Sequence, residues 1–262
     1  METISINQWT KYRDVLAKIS NKAADEFRDA VFNKNGYFNG VGLGNIPRNE
    51  LIDYAYALVT KYSEAESAAA CMFYDELAAL SGVILPSALP AESASISEVG
   101  KAINGAIKNS NGNEETVTST VFRLVKQAGQ DTTLQNALRD GAQFAWIPSG
   151  DTCAFCIALA SRGWQYASKR SIKNGHAEHI HGNCDCAYAV RFNENTDVAG
   201  YHPDKYLEEY ESAEGDTPEQ KINSMRRRYY EENKEKINEQ KRSAYEKRKE
   251  RESSQAEETN VD

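Results

Sequence analysis

Four cysteines and a histidine form the part of this sequence whose residue types and spacing could do chemistry. Cys153 and Cys156 make a C-x2-C pair, and His181, Cys184 and Cys186 follow as H-x2-C-x-C after 24 intervening residues. Tetrahedral zinc takes four nitrogen or sulfur ligands, commonly one pair from a turn and one from a second element. Five candidates compete for those four positions. The pattern predicts a structural Zn²⁺ site and leaves open which four residues bind it.

Catalytic uses of these side chains fit the order of the sequence less well. His176 and Glu178 form H-x-E, but in zinc deaminases H-x-E precedes P-C-x2-C, whereas here it follows the C-x2-C pair. A thioredoxin-like pair would need a βαβ unit around it, and an HNH-type nuclease would need more histidines downstream than His202. A zinc ion with four protein ligands has no open position for water. We therefore expect no enzymatic activity, with unrelated buried thiols or a catalytic cysteine as the alternatives.

The amino terminus and the hydropathy of the chain predict where the cysteines are used. METISINQWTKYRDVL lacks a basic segment followed by an apolar one, and no apolar run approaches the roughly 18 residues of a membrane helix. We expect no membrane association and a reducing cytosol, in which cysteines are metal ligands or buried thiols more often than disulfides. Cys71, alone in the apolar stretch AACMF, is predicted to be ordinary core.

The elements before this cluster are predicted to be helical as far as Trp146. Apolar residues recur at helical spacing over 5–33 and 49–80, and Ser95 with Glu98 is a capping-box signature for the next helix. Two further helices are predicted near 114–128 and 132–145. The fold class is therefore mainly α (α+β): a helical amino-terminal region, a small Cys/His zinc-clip module with short strands, and a charged carboxy-terminal helix. The predicted domains are 1–147, 148–204 and 205–262, the last partly disordered.

The local elements of the clip follow from turn and strand signals. Asp151 is expected to cap a short helix that carries the C-x2-C pair and ends near Gly163, and Gly182-Asn183 is expected to form a tight turn. In a strand, residues two apart face the same way. Cys184 and Cys186 would then share one face of a strand that continues through Tyr188, Val190 and Phe192.

Acidic and basic residues are segregated along the chain. The net charge of -8 argues against a protein whose whole surface grips nucleic acid, yet 217–252 holds 12 Lys or Arg against 8 Glu. Thr217, Pro218 and Gln220 predict the start of one long helix over 218–250 with little core of its own. Arg226-Arg227-Arg228 stands beside Tyr229-Tyr230, a cluster suited to DNA phosphates or to an acidic partner.

The segments GDTCAFCIALASRGWQY and HIHGNCDCAYAVRF together resemble the cysteine-rich segment of tailed-phage minor head proteins. These proteins form the head-morphogenesis family that includes Mu F-like proteins and a minor capsid protein branch. The matching positions cover about 150–192 and are Asp151, Cys153, Cys156, Ser161, Arg162, Gly163, His181, Cys184 and Cys186.

The resemblance implies a minor structural component of the procapsid near the portal, acting with portal, coat or scaffold proteins. Its location would be the virion head, and the host cytoplasm during assembly, and the basic tail could contact packaged DNA. The alternative interpretation is a zinc-knuckle nucleic-acid-binding protein or nuclease, for which a steep salt dependence of DNA binding would be the signature.

Overall fold

The computed structural model describes residues 2–149, 152–170 and 186–259 of the chain. These residues form eight α-helices: α1 (Ile6–Phe32), α2 (Arg48–Leu80), α3 (Ile96–Ser110), α4 (Glu114–Asp140), α5 (Ala154–Ala160), α6 (Pro203–Glu211), α7 (Pro218–Glu232) and α8 (Lys234–Thr259). They also form five short strands: β1 (Glu2–Ile4), β2 (Gln143–Ile147), β3 (Gln165–Tyr166), β4 (Ala187–Arg191) and β5 (Thr196–Val198). The predicted mainly α (α+β) class is confirmed.

Helices α1 and α2 begin and end close to the predicted positions, and α3 begins where its capping box predicted. Ser95 accepts a hydrogen bond from the backbone N–H of Glu98, and the Glu98 carboxylate accepts one from the Ser95 N–H. The capping box predicted at the start of α3 is therefore present. Ser5 and Gln8 form a second capping box at the start of α1. Each box satisfies backbone donors that a helix start leaves without intrahelical partners.

The prediction of two helices near 114–128 and 132–145 is wrong, because a single helix, α4, runs from Glu114 to Asp140. Gly129 lies inside this helix where the sequence suggested a break. A Cβ atom at that position would come within 2.8 Å of the Glu66 side chain, so the glycine allows α2 and α4 to approach closely. The helix ends at Gly141, which caps it with a positive φ of 65°.

The expectation that everything up to Trp146 is helical is also wrong. Strand β2 follows Gly141 and pairs antiparallel with β3 on one side and β4 on the other. Its sequence, QFAWI, carries the aromatic and β-branched residues that favour strands. In the pairing of β2 with β4, Trp146 lies opposite Tyr188 and Ala145 lies opposite Ala189. Strands β1 and β5 form a separate parallel pair that joins residues 2–4 to 196–198.

Two large apolar cores lie along the helices. One is formed by α1, α2, α3 and α4 and includes Phe27, Leu51, Val99 and Val121. The other joins α1, α2 and the end of α4 to the three-stranded sheet and α5, and it runs from Ile4 to Tyr201. This second core includes residues on both sides of the boundary predicted at 147/148. The domain boundaries stay predictions.

The carboxy-terminal segment differs from the single helix expected over 218–250. Thr217 caps α7 with the predicted capping box to Gln220, but the helix stops at Glu232 and Asn233 separates it from α8. Met225 on α7 is buried against Ala154 and Ile157 of α5, so α7 contributes to a small core of its own. The described side chains of α8 are exposed apart from a half-buried Ile237. Within the described part of the chain, no helix has the length and apolar character needed to cross a membrane.

A buried carboxylate lies between α1, α2 and α4. Glu66 is fully buried, and neither of its side-chain oxygens accepts a hydrogen bond from a described residue. The serine hydroxyls nearest to it along α2, Ser63 and Ser67, are buried as well. Burial raises the pKa of Glu66 well above its ordinary value, and the Lys126 charge opposes only part of this shift. Glu66 is consequently a source of instability that depends on pH.

We expect Glu66→Gln to raise the melting temperature at pH 8. A carboxyl whose pKa is raised by folding is stabilising below its unfolded pKa, and that contribution is lost as the pH rises towards the folded pKa. A tenfold difference in proton affinity between the folded and unfolded states corresponds to about 1.4 kcal/mol. The increase in melting temperature of Glu66→Gln over the native protein should therefore be larger at pH 8 than at pH 5, as measured by thermal unfolding. Lys126 and Tyr12 face Glu66 and are present in both proteins, so they do not create this difference.

The exposed Glu64, on the same helix, supplies the control. Glu64→Gln should leave the melting temperature nearly unchanged at both pH values. A loss of stability in Glu66→Gln at pH 8, or an equal effect at both pH values, would contradict the interpretation of Glu66 as a desolvated acid.

Candidate metal centre

The C-x2-C pair lies at the start of α5. Cys153 is the N-cap residue, and its Sγ accepts a hydrogen bond from the backbone N–H of Cys156 at 3.5 Å. The prediction of Asp151 as the cap is wrong, because Cys153 occupies the N-cap position; Asp151 itself lies outside the described residues. The thiolate is the form of cysteine that binds metal. Cys156 is 1% exposed and Cys153 is half-buried.

Cys186 approaches the same region from the sheet. It directly precedes β4, is 4% exposed, and belongs to the same apolar core as Cys156. Cys153 packs against that core as well. The expected apolar strand after Cys186 is confirmed as β4, but both of its faces are buried over Ala187–Val190. The structure thus brings three of the five predicted ligands to one core cluster.

The remaining two predicted ligands, His181 and Cys184, lie outside the described residues, as do His176, Glu178 and the Gly182-Asn183 turn. Within 2–149, 152–170 and 186–259 there is no group of three or more His, Cys, Asp or Glu side chains placed to hold a metal ion. The predicted set of five ligands therefore stays a prediction. The three described cysteines have the chemistry that a zinc ion requires. Their thiols lie in an apolar setting, and one of them accepts an N–H, as suits a closed zinc-thiolate site.

Helix α5 and the residues that follow it make polar contacts with later parts of the chain. The buried Tyr201 hydroxyl donates a hydrogen bond to the Ala160 carbonyl at 2.9 Å, near the carboxy end of α5. Beyond Gly163, Trp164 Nε1 donates to Asp197 at 3.1 Å, and the Arg191 guanidinium lies over the Trp164 ring. These contacts join α5 and Trp164 to β4, to β5 and to Tyr201, which follows β5.

Two tyrosines report on the electrostatics around the thiols. Burial raises the pKa of Tyr188 well above its ordinary value, the Arg162 charge opposes that shift, and Asp131 and Cys156 add to it. Burial also raises the pKa of Tyr206, and Cys186 acts in the same direction. Both phenols consequently stay protonated and neutral, and Tyr188 is buried whereas Tyr206 is half-buried.

The helix of the C-x2-C pair is preceded by a strand, which the sequence did not predict. Strands β2 and β3, on either side of α5, pair antiparallel. A thioredoxin-like βαβ unit has parallel strands, because its helix forms the crossover between them. Among the described residues, α5 is therefore not part of the parallel βαβ unit that a thioredoxin-like use of Cys153 and Cys156 would require.

Sequence reasoning missed the residues that join the helical bundle to the sheet. The buried Gln130 of α4 accepts a hydrogen bond from the Tyr188 backbone N–H at 2.9 Å. Glu66 and Lys126 were missed as well. Glu66 follows Leu58, Val59 and Tyr62 at helical spacing on the buried face of α2. A charged residue at such a position is the sequence feature that could have predicted a buried carboxylate.

Comparison with known proteins identifies the family to which the chain belongs. The sequence model of one family, described as VG15 protein, matches residues 3–213, from the first strand to the end of α6. The chain belongs to the VG15 protein family, a family of viral gene products. The match includes the cysteine pair and β4 and stops before α7 and α8. No curated protein and no solved structure matches the chain.

Proposed function

We propose that this viral protein is a minor capsid or head-morphogenesis component that acts in procapsid assembly near the portal. The observation that carries the proposal is its membership of a viral gene-product family over 3–213, a range that includes the cysteine-rich segment. That segment is also where the sequence resembles phage minor head proteins. Its proposed location is the virion head, and the host cytoplasm during assembly.

In this proposal the cysteine-rich segment is a structural zinc clip. Its ligands are drawn from Cys153, Cys156, His181, Cys184 and Cys186, and the ion supplies cross-linking of two chain segments and no open coordination position. Support comes from the burial of Cys156 and Cys186 within a core that also contains α2 and α4. A clip in this place would hold α5 and β4 against the helical bundle. No enzymatic activity is proposed for the chain.

Portal, coat or scaffold proteins are the proposed partners, and the carboxy-terminal helices are the proposed means of docking. Helix α7 is fixed to α5 through Met225, and Arg228 is held close to Glu209 and Ser212 of the α6 region. The described side chains of α8 are nearly all exposed. This arrangement leaves α8 available to a partner while α7 anchors it.

Nucleic-acid binding is a second candidate function, and one observation favours it. Arg226 and Arg227 are exposed beside the exposed Tyr229, and neither arginine has an ion-pair partner among the described residues. Arginines beside an aromatic ring suit phosphates and stacked bases. Packaged DNA is the nucleic acid that a head protein would meet.

Co-sedimentation with procapsids tests the proposed function. In lysates that contain procapsids of the encoding virus, the chain should sediment with the procapsid fraction and cross-link to a protein of that fraction. A second virus whose procapsids lack a related gene supplies the control lysate. If the chain stays in the free pool throughout assembly, the head-morphogenesis proposal is wrong, and a steep salt dependence of DNA binding would then favour the second candidate.

A further inference from the structure

A groove of about 550 Å³ lies between α3, α4 and the segment that leads into α3. Its apolar lining comes from Ala94, Ala102, Leu124 and Ala128, and its basic side chains are Arg123 of α4 and Lys101 of α3. This volume is within the range of sites that hold small ligands. The groove is separate from the cysteine cluster and from the basic tail.

Arg123 is the unusual residue of this groove. Its side chain is half-buried, and no described residue forms an ion pair or a hydrogen bond with its guanidinium. Burial lowers its pKa, and no neighbouring carboxylate counteracts that effect. A partly desolvated charge without a partner is unfavourable, and an anion bound in the groove would remove the penalty.

The acidic residues that line the groove either interact with other residues or are exposed to solvent. Glu98 accepts hydrogen bonds from the Ser95 N–H at 2.8 Å and from its hydroxyl at 2.7 Å, and these bonds lower the pKa of Glu98. Asp131 has an interaction of its own, and Glu92 is exposed at the rim. The positive charge of Arg123 therefore remains available to a ligand.

We propose that this groove binds the carboxylate of a single Glu or Asp side chain on an otherwise uncharged peptide segment of a partner protein, with Arg123 as the anchoring guanidinium. The planar guanidinium fork matches a carboxylate through two parallel hydrogen bonds. Lys101 adds a second positive charge, and the alanines and Leu124 provide apolar contact for the flanking peptide.

A carboxylate fits the groove better than the phosphates of nucleic acid do. Three acidic residues, Glu92, Glu98 and Asp131, line the groove together with the two basic ones. A chain of phosphates would meet these carboxylates at close range, and like charges repel each other there. One carboxylate can reach Arg123 without bringing further negative charge to the rim. The inference does not depend on the role of the chain in a phage head.

The test is an NMR titration of the full-length, isotope-labelled chain with three probes. The probes are the peptide acetyl-Ala-Glu-Ala-amide, its Gln counterpart and inorganic phosphate. We expect the Glu peptide to give saturable shifts of the Arg123 Nε–H and of the Leu124 amide. Loss of the charged hydrogen bonds should weaken binding about 10- to 100-fold in Arg123→Gln. Arg48→Gln, at an exposed arginine, should bind like the native chain.

Each other outcome overturns the proposal. Equal shifts with the Gln peptide would mean that the carboxylate is not recognised, and tighter saturation by phosphate would reassign the site to phosphates. Absence of saturable shifts would remove the site altogether. Thermal unfolding separates binding from folding: Arg123→Gln should melt no lower than Arg48→Gln, because the native guanidinium has no partner to lose among the described residues. A clearly lower melting temperature would assign Arg123 a structural role.

Discussion

Cys153→Ser should release the zinc and unfold the segment around α5 while the long helices survive. A structural zinc ion contributes on the order of 10 kcal/mol to the folding of small zinc modules, more than any single apolar contact in this protein could replace. Metal analysis of the purified native chain under reducing conditions should give one zinc per chain, and the variant should give none. Limited proteolysis should then cut the variant within 152–170, with most of the helical circular dichroism retained.

Cys71→Ser supplies the matched control for this experiment. Cys71 is half-buried on α2 and packs against the same core as Cys153, but it lies outside the predicted ligand set. Its replacement should leave the zinc in place. A native chain with well under one equivalent of zinc would refute the clip, and unusually rapid alkylation of Cys153 or Cys156 in such a chain would indicate a catalytic thiol instead.

Removal of residues 234–262 should leave a folded, zinc-loaded chain that no longer enters procapsids. This deletion removes α8, whose described side chains bury almost nothing, and keeps α7 with Met225 in its small core. The larger deletion of 217–262 would be a poorer test. Truncation of a buried methionine to alanine alone costs about 2–5 kcal/mol, and loss of the whole helix would uncover Ala154 and Ile157 of α5 beside the cysteine pair.

The assay for this deletion is the amount of chain in purified procapsids, together with zinc content and helical circular dichroism. Met225→Ala, which keeps α8 but weakens its anchor, shows whether a loss of incorporation follows from instability. Incorporation of the shortened chain at the normal level would exclude α8 as the docking element. Normal incorporation with less packaged DNA would show that the basic helix faces the genome.

The long helices were predictable because their signals are local. Ser95 with Glu98, and Thr217 with Gln220, satisfy backbone groups within one turn, and both capping boxes are present. The errors arose where distant residues decide the structure. Gly129 resembles a helix break until Glu66 is placed against it, and QFAWI at 143–147 becomes a strand because β4 pairs with it.

For the candidate site, sequence reasoning found the residue types but not their surroundings. Cys153, Cys156 and Cys186 do pack against one core. Strand spacing already placed Tyr188 close to Cys186, whereas Tyr201 and Tyr206 come from other elements and no spacing rule brings them to the thiols. Arg123 could not be recognised at all, since a basic residue on a helix is ordinary until the structure shows that it lacks an ion-pair partner among the described residues.

The parallel pairing of β1 with β5 has a consequence for the order in which the protein can fold. Residues 2–4 pair with 196–198, and Ile4 is buried in the same core as Val198. During synthesis the first strand therefore has no partner until almost two hundred residues have been added. The α1–α4 bundle can form earlier, because all four of its helices are complete at Asp140, whereas the core that holds the cysteines closes late, when both distant segments meet.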